Sequence, residues 1–124
     1  MDAITKIRFK QTGPEAILGP LEAKVLSVLW DKKSARVRDL HAIIRKDKNV
    51  ALTSVAVMLD RLHKKQLVTR SVAVGRGGRH YVYAPALTRE AFDYTTLDAI
   101  VSKLLDTFGD SAVAYFNDKF SRKK

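Results

Sequence analysis

The segment VAVGRGGRHYVYAP, residues 72–85, limits the folds that this chain can adopt. Its glycines resemble the start of a phosphate-binding loop, but such a loop must lead into a helix whose N-terminal N–H groups face the phosphate. Here the glycines lead into HYVY, and aromatic and β-branched residues favour a strand, while Pro85 stops a helix. Residues 67–74 are also strand-like. The segment therefore predicts a β-hairpin with Arg76 and Arg79 at its tip.

Three helical patterns precede this hairpin. The first begins at Pro20, a residue that suits the first turn of a helix, and the polar stretches DKKSA and KDKN separate the others. Apolar residues at helical spacing define the buried faces of the three helices, which are Leu21, Val25, Val28 and Leu29, then Val37, Leu40, Ile43 and Ile44, then Val55, Met58, Leu59 and Leu62.

The opposite face of the third helix is polar and predicts a surface for a ligand. It carries Thr53, Val57, Asp60, Arg61 and Lys64, with Ser54 at its edge. Three helices followed by a basic hairpin are the parts of a winged helix-turn-helix, in which the third helix enters the DNA major groove and the hairpin lies along the backbone or minor groove. We therefore expect a mainly α fold with a small β-hairpin, followed by C-terminal dimerisation helices.

Charge divides the chain into unequal parts. The net charge is +10, and residues 1–87 hold 17 Lys/Arg against 7 Asp/Glu, while residues 88–124 hold six of each. A basic module followed by a neutral one predicts polyanion binding in the first part and another task in the second. We expect a flexible basic arm at 1–17, a DNA-binding domain at 18–87 and a helical dimerisation region at 88–124.

The tail contains two amphipathic helical patterns, and the first begins with the start signal Thr88 and Glu90. A segment this short buries two apolar stripes poorly on its own. The stripes either pack on the first domain or pair with a second copy. We favour pairing because a symmetric DNA-binding dimer gains affinity and fixes the spacing of the two half-sites. The predicted dimerisation residues are Leu97, Ile100, Leu104, Leu105, Phe108, Val113, Phe116 and Phe120.

Several classes of function are disfavoured by composition. There is no membrane-length apolar run, no signal-peptide pattern and no cysteine, so we expect a cytoplasmic protein without disulfides or thiolate metal sites. The histidines, His41, His63 and His80, lack metal-ligand spacing, and no nucleophile, base and orienting group can be assembled. We expect no enzyme activity, no cofactor and no metal.

The chain resembles the penicillinase-repressor family of winged-helix transcriptional repressors. LGPLEAKVLSVLW is similar to the opening helix of that family, VRDLHAIIRKDKNVALTSVAVMLDRLHKKQLV to its helix-turn-helix core, and GRHYVYAP to the returning strand of its wing. The resemblance covers residues 18–87 well and the tail loosely. It implies a homodimeric repressor bound to a palindromic operator, with the tail helices forming the dimer.

The resemblance also assigns roles to residues. It implies that Thr53, Ser54 and Val57 read bases, although Val57 stands where the family commonly has threonine and can contact only a thymine methyl. Leu52 replaces a common aromatic residue, and Gln66 replaces a frequent glycine, which leaves the end of the third helix undefined. The family's copper-responsive branch uses a cysteine cluster, which this chain lacks.

Contacts with the DNA backbone or minor groove are predicted for Arg61, Lys64, Lys65, Arg76 and Arg79. Two alternatives remain open for Arg61, which either contacts phosphate or braces the fold through a carboxylate. Lys64 and Lys65 also suit the negative end of the helix dipole. The predicted partners are operator DNA and a second copy of the chain, and the alternative functions are a protein-interaction module and a nonspecific architectural DNA-binding protein.

Overall fold

The computed structural model describes residue 7 and residues 13–121. Most of the predicted arm therefore lies outside the described residues, but Gly13–Ala16 form a short 3₁₀ helix where little fixed structure was expected. The remaining elements follow the predicted order, and they are α1 (Pro20–Lys32), α2 (Val37–Ile44), α3 (Leu52–Lys64), β1 (Val68–Gly75), β2 (Gly78–Pro85), α4 (Arg89–Phe108) and α5 (Asp110–Ser121). The winged helix-turn-helix followed by two C-terminal helices is confirmed.

One hydrophobic core holds the first three helices and the base of the hairpin together. Each fully buried leucine in such a core contributes about 1.5–3 kcal/mol. The predicted faces are confirmed at most positions, while Leu21, Val37, Ile43 and Met58 are only partly buried. The residues that are less than 2% exposed include Val25, Leu26, Leu29, Leu40, Ile44, Val55, Leu59 and Leu62.

The hairpin pairs antiparallel from Val68 opposite Pro85 to Gly75 opposite Gly78. Gly77 and Gly78 have φ of 86° and 99°, a backbone region that side chains with a Cβ rarely adopt. On the other edge of β2, Ala35 exchanges backbone hydrogen bonds with Tyr83 at 2.9 and 2.8 Å. This bridge brings the start of α2 against the wing.

Trp30, at the end of the α1 apolar face, joins the winged-helix domain to α4. Its indole Nε1 donates a hydrogen bond to the carbonyl of Leu87 at 2.9 Å. The Arg89 guanidinium lies 4.6 Å from the centre of the Trp30 ring, and the Phe92 ring packs edge-on at 5.6 Å. Thr88 caps α4 by accepting a hydrogen bond from Ala91 N–H at 3.0 Å, as the start signal predicted.

Gln66 closes α3 in a left-handed conformation. Leu67 N–H donates to the Leu62 carbonyl at 2.9 Å, and Gln66 N–H donates to the His63 carbonyl at 3.0 Å, which together form a Schellman motif. The φ of Gln66 is 65°, and a left-handed conformation costs a residue with a Cβ about 1–2 kcal/mol. The end of α3 is therefore well defined, and the frequent glycine of the family would suit its geometry better.

Gln66→Gly is expected to stabilise the protein by about 1 kcal/mol, because glycine adopts this conformation without a Cβ penalty. Urea unfolding measures the change, and Gln66→Ala serves as the control because alanine keeps the Cβ. Equal unfolding midpoints for the glycine and alanine variants would contradict the assignment of backbone strain to this position.

Lys65 is part of an ion pair that ties the end of α3 to α1. Its Nζ lies 2.8 Å from Oε2 of Glu22, whose side chain is only 9% exposed. The adjacent Lys64 instead pairs with Asp60 at 3.1 Å, and the Lys64 side chain is 75% exposed. A buried carboxylate needs its counter-ion, whereas an exposed ion pair contributes little to the free energy of unfolding. The two lysines therefore have different structural roles.

Lys65→Ala is expected to lower the free energy of unfolding by about 1–2 kcal/mol, because the Glu22 carboxylate loses its partner while water partly replaces it. Lys64→Ala, the matched control, is expected to change stability by less than about 0.5 kcal/mol. Urea unfolding of both variants checks the difference, and equal losses would refute the structural role of Lys65.

Candidate nucleic-acid interface

The outward face of α3 is free of contacts with the core. Thr53, Val57, Arg61 and Lys64 are exposed on it, and Ser54 is half-buried at its edge. Val57 keeps 47% of its surface exposed although it is apolar. The opposite face carries Val55, Leu59 and Leu62, each fully buried, so the helix cannot rotate without exposing them. The three residues predicted to read bases therefore lie together at the first two turns of α3.

The five residues predicted to contact the DNA backbone lie in different settings. Arg76 and Arg79 are exposed at the hairpin tip, and no carboxylate of the described residues pairs with either of them or with Arg61. Lys64 is exposed beside Asp60, whereas Lys65 is held by Glu22. Of these five residues, Lys65 is the one that joins two helices through a carboxylate.

Asp60 connects α3 to the wing. A hydrogen bond from Lys64, together with the charges of Lys64 and Arg70, holds the pKa of Asp60 below its ordinary value. The nearest guanidinium nitrogen of Arg70 lies 3.6 Å from this carboxylate, and Arg70 also lies over the Tyr81 ring at 4.4 Å. Arg70 and Tyr81 were not among the residues predicted from the sequence, although their strand register places them diagonally opposite each other on one face of the hairpin.

The start of α2 is fixed by a local network. Arg36 N–H donates to Oδ2 of Asp39 at 3.1 Å, and this backbone hydrogen bond is the main reason that the pKa of Asp39 lies below its ordinary value. At the other side of the helix, the His41 ring Nε2 lies 2.8 Å from the carbonyl of Val50, just before α3. The Asp39 contact caps the start of α2, whereas the His41 contact ties the turn between α2 and α3 back to α2.

The described residues hold no group of three His, Asp or Glu side chains able to bind a metal ion. His63 and His80 are half-buried, on α3 and β2 respectively, and do not come together with His41 as a ligand set. In the part of the chain that the structure describes, every helix is too short or too polar to cross a lipid bilayer.

The apolar stripes of the tail do not pack on the winged-helix domain. Phe92 and Thr96, near the start of α4, are buried, but of the described residues beyond them only Ala112 is. Among the predicted dimerisation residues, Ile100, Leu105 and Phe116 are half-buried and the others are exposed, namely Leu97, Leu104, Phe108, Val113 and Phe120. Tyr94, Val101 and Tyr115 add exposed apolar surface that the sequence analysis did not include.

Solved structures share this fold. A PadR family transcription regulator from Clostridium difficile R20291 is similar with a TM-score of 0.50 and 21% identity, covering 73% of this chain and 98% of its own. A possible transcriptional regulator from Methanosarcina mazei Go1 is similar with a TM-score of 0.53 and 15% identity, covering 82% of this chain and 78% of its own. At these identities the likeness shows the fold alone.

Sequence comparison narrows the assignment. No curated protein matches the chain significantly. A family model described as penicillinase repressor matches residues 18–123, which is almost the whole described chain and includes both tail helices. The motifs LGPLEAKVLSVLW and GRHYVYAP, which suggested this resemblance, form α1 with the residues before it and the returning strand of the hairpin. The chain belongs to the penicillinase repressor family and is a winged-helix DNA-binding transcriptional regulator.

Proposed function

We propose that the protein is a homodimeric repressor that binds a palindromic operator through α3 and the wing. The observation that carries this proposal is the outward face of α3, where Thr53, Val57, Arg61 and Lys64 are exposed. The hairpin tip adds two exposed arginines that have no ion-pair partner among the described residues. A helix fits the major groove, whose base edges distinguish all four base pairs. The surface is thus suited to reading sequence while its cations hold phosphate.

Base reading is assigned to the first turns of α3. The Thr53 and Ser54 hydroxyls donate and accept hydrogen bonds, whereas Val57 provides an apolar contact for a thymine methyl. Apolar Val57 is 47% exposed, and an apolar side chain at the centre of a polar face gains burial when the groove covers it. We therefore assign a thymine to the operator position opposite Val57.

Backbone binding is assigned to Arg61, Lys64, Arg76 and Arg79. These exposed cations lie along α3 and the wing tip, and each one that neutralises a phosphate releases counter-ions, which makes binding weaken as salt rises. Lys65 has a structural role first, because its ammonium is bound to Glu22. Its positive charge contributes only to the general field that attracts DNA.

The exposed apolar surface of α4 and α5 supports the proposal of a dimer. Exposed apolar side chains line much of α4 and α5, and Leu104, Phe108, Ala112 and Phe116 form a groove between the two helices. An apolar surface of this extent on a regulatory protein is typical of an interaction site. A second copy is the occupant we assign, because it offers the same apolar stripe and its recognition helix is related to the first by a two-fold axis.

Changing a base-reading residue and changing a phosphate contact are expected to give different results. Thr53→Ala is expected to reduce the preference for an operator selected from a random duplex pool, relative to random DNA, about tenfold, because a base-edge hydrogen bond is lost. Arg79→Gln, the matched phosphate variant, is expected to weaken both DNAs equally and to flatten the salt dependence by about one unit of slope. Binding titrations at several salt concentrations measure both effects.

Equal losses on operator and random DNA for Thr53→Ala would remove Thr53 from the base-reading set. Negligible binding of the unchanged protein to any duplex at low salt would instead favour a protein-interaction module. Salt-sensitive binding without any preferred sequence would favour an architectural DNA-binding protein.

Leu97→Asp is expected to weaken the dimer at least 100-fold, because a carboxylate would be buried against apolar side chains of the partner. Val74→Asp is the control, since Val74 is an exposed apolar residue on the wing, far along the chain from the tail helices. Sedimentation equilibrium of both variants gives the masses. A monomeric mass for both, or a dimeric mass for both, would contradict the assignment of the interface.

A further inference from the structure

A cleft beside α3 joins three elements that the sequence keeps apart. Its lining includes residues 36–38 at the start of α2, Leu52 at the start of α3, and residues 76–81 of the wing. The Ala35–Tyr83 bridge makes this possible, because it holds the start of α2 against the edge of β2. We call this site the arginine cleft.

Four arginines line the arginine cleft, and none of its described lining residues is acidic. Arg36 is hydrogen-bonded to Asp39, the one acidic residue within α2. Arg38, Arg76 and Arg79 are exposed and have no ion-pair partner among the described residues. Three guanidinium groups without an ion-pair partner among the described residues flank one cleft, although the Asp39 carboxylate acts on Arg38 through its charge. These cations repel one another and are stabilised together by an anion.

The walls of the cleft are partly apolar. Leu52 and Tyr81 remain 43% and 46% exposed, and Val37, which also lines the cleft, is partly buried against the core. Guanidinium groups suit phosphate oxygens, while apolar side chains suit the carbon-rich face of a sugar. The combination fits a sugar-phosphate chain better than an isolated inorganic anion.

The cleft also lies next to the base-reading surface. Leu52 is the first residue of α3 and precedes Thr53 and Ser54 directly. A DNA backbone held between α2 and the wing would run past the N-terminal turn of α3. That turn is the part of α3 proposed to contact base edges in the adjacent groove. Binding in the cleft would therefore set the depth and register of α3 in the groove.

We propose that the arginine cleft binds the sugar-phosphate backbone of the operator strand beside the groove that α3 reads, with Arg38 and Arg79 holding the same stretch of strand from α2 and from the wing. The proposal rests on the DNA-binding function and adds Arg38, which no helical or strand pattern distinguishes. Arg38 acts on affinity and register and does not read bases.

The test compares Arg38→Gln with Arg45→Gln in the full chain. Arg45 is exposed at the other end of α2 and has no ion-pair partner among the described residues, so both variants remove one cation from the same helix. Arg38→Gln is expected to reduce affinity for random duplex DNA about tenfold and to lower the salt slope by about 0.9, whereas Arg45→Gln leaves both unchanged. Thermal unfolding confirms that both variants are folded.

Equal behaviour of the two variants, with the unchanged protein still binding DNA, would overturn the cleft and leave the DNA-binding function intact. Failure of the unchanged protein to bind any duplex would overturn both. Calorimetric titration with pyrophosphate at physiological salt tests whether the cleft binds a free anion rather than the DNA backbone. Submillimolar binding that Arg38→Gln abolishes would assign the cleft to a small phosphorylated ligand.

The double variant Arg38→Gln/Arg79→Gln tests whether the two arginines hold one stretch of strand. A combined loss in affinity that differs from the product of the single losses is expected, because residues that share a partner are not additive. Strictly multiplicative losses would show that α2 and the wing bind separate phosphates, which contradicts the proposed clamp.

Discussion

The burial of one face of α3 is the constraint on which the proposed DNA-binding surface depends. Val55, Leu59 and Leu62 are fully buried against the other helices, and any rotation of α3 would expose them at a cost of about 1.5–3 kcal/mol each. This packing keeps the polar face outward before any ligand arrives. Two polar contacts stabilise the same orientation, because Glu22 holds Lys65 at the end of α3 and Asp60 binds Arg70 of the wing.

Periodicity predicted what depends on local sequence. The three helices, the hairpin and the start of α4 at Thr88 followed from spacing and capping residues, because burial of one face imposes a repeat on the sequence. Contacts between distant residues could not be predicted in this way. Lys65 and Glu22 are 43 positions apart, and the Ala35–Tyr83 bridge that forms the arginine cleft leaves no periodic signal. The resemblance shows that Gln66 stands where the family often has glycine, but it did not predict that Gln66 would adopt the left-handed conformation.

The tail illustrates a different limit of sequence reasoning. The amphipathic stripes were visible, but two ways of burying them remained open. In the structure, Phe92 is the only described residue of α4 in the main hydrophobic core, and the Trp30 junction anchors only the first turns of α4. Most of the remaining stripe stays exposed, which supports pairing between copies. Rigid anchoring at Trp30 also matters for the proposed function, because it would carry the geometry of a dimer from the tail to the two reading helices.

We propose that two copies of the chain read a symmetric site. The most direct test selects bound sequences from a random duplex pool and then measures the mass of the complex on the selected site. We expect a two-fold symmetric consensus, with half-site centres about one helical turn or a multiple apart, and two chains per duplex. A single chain on an asymmetric site, or no enrichment of any sequence, would contradict it.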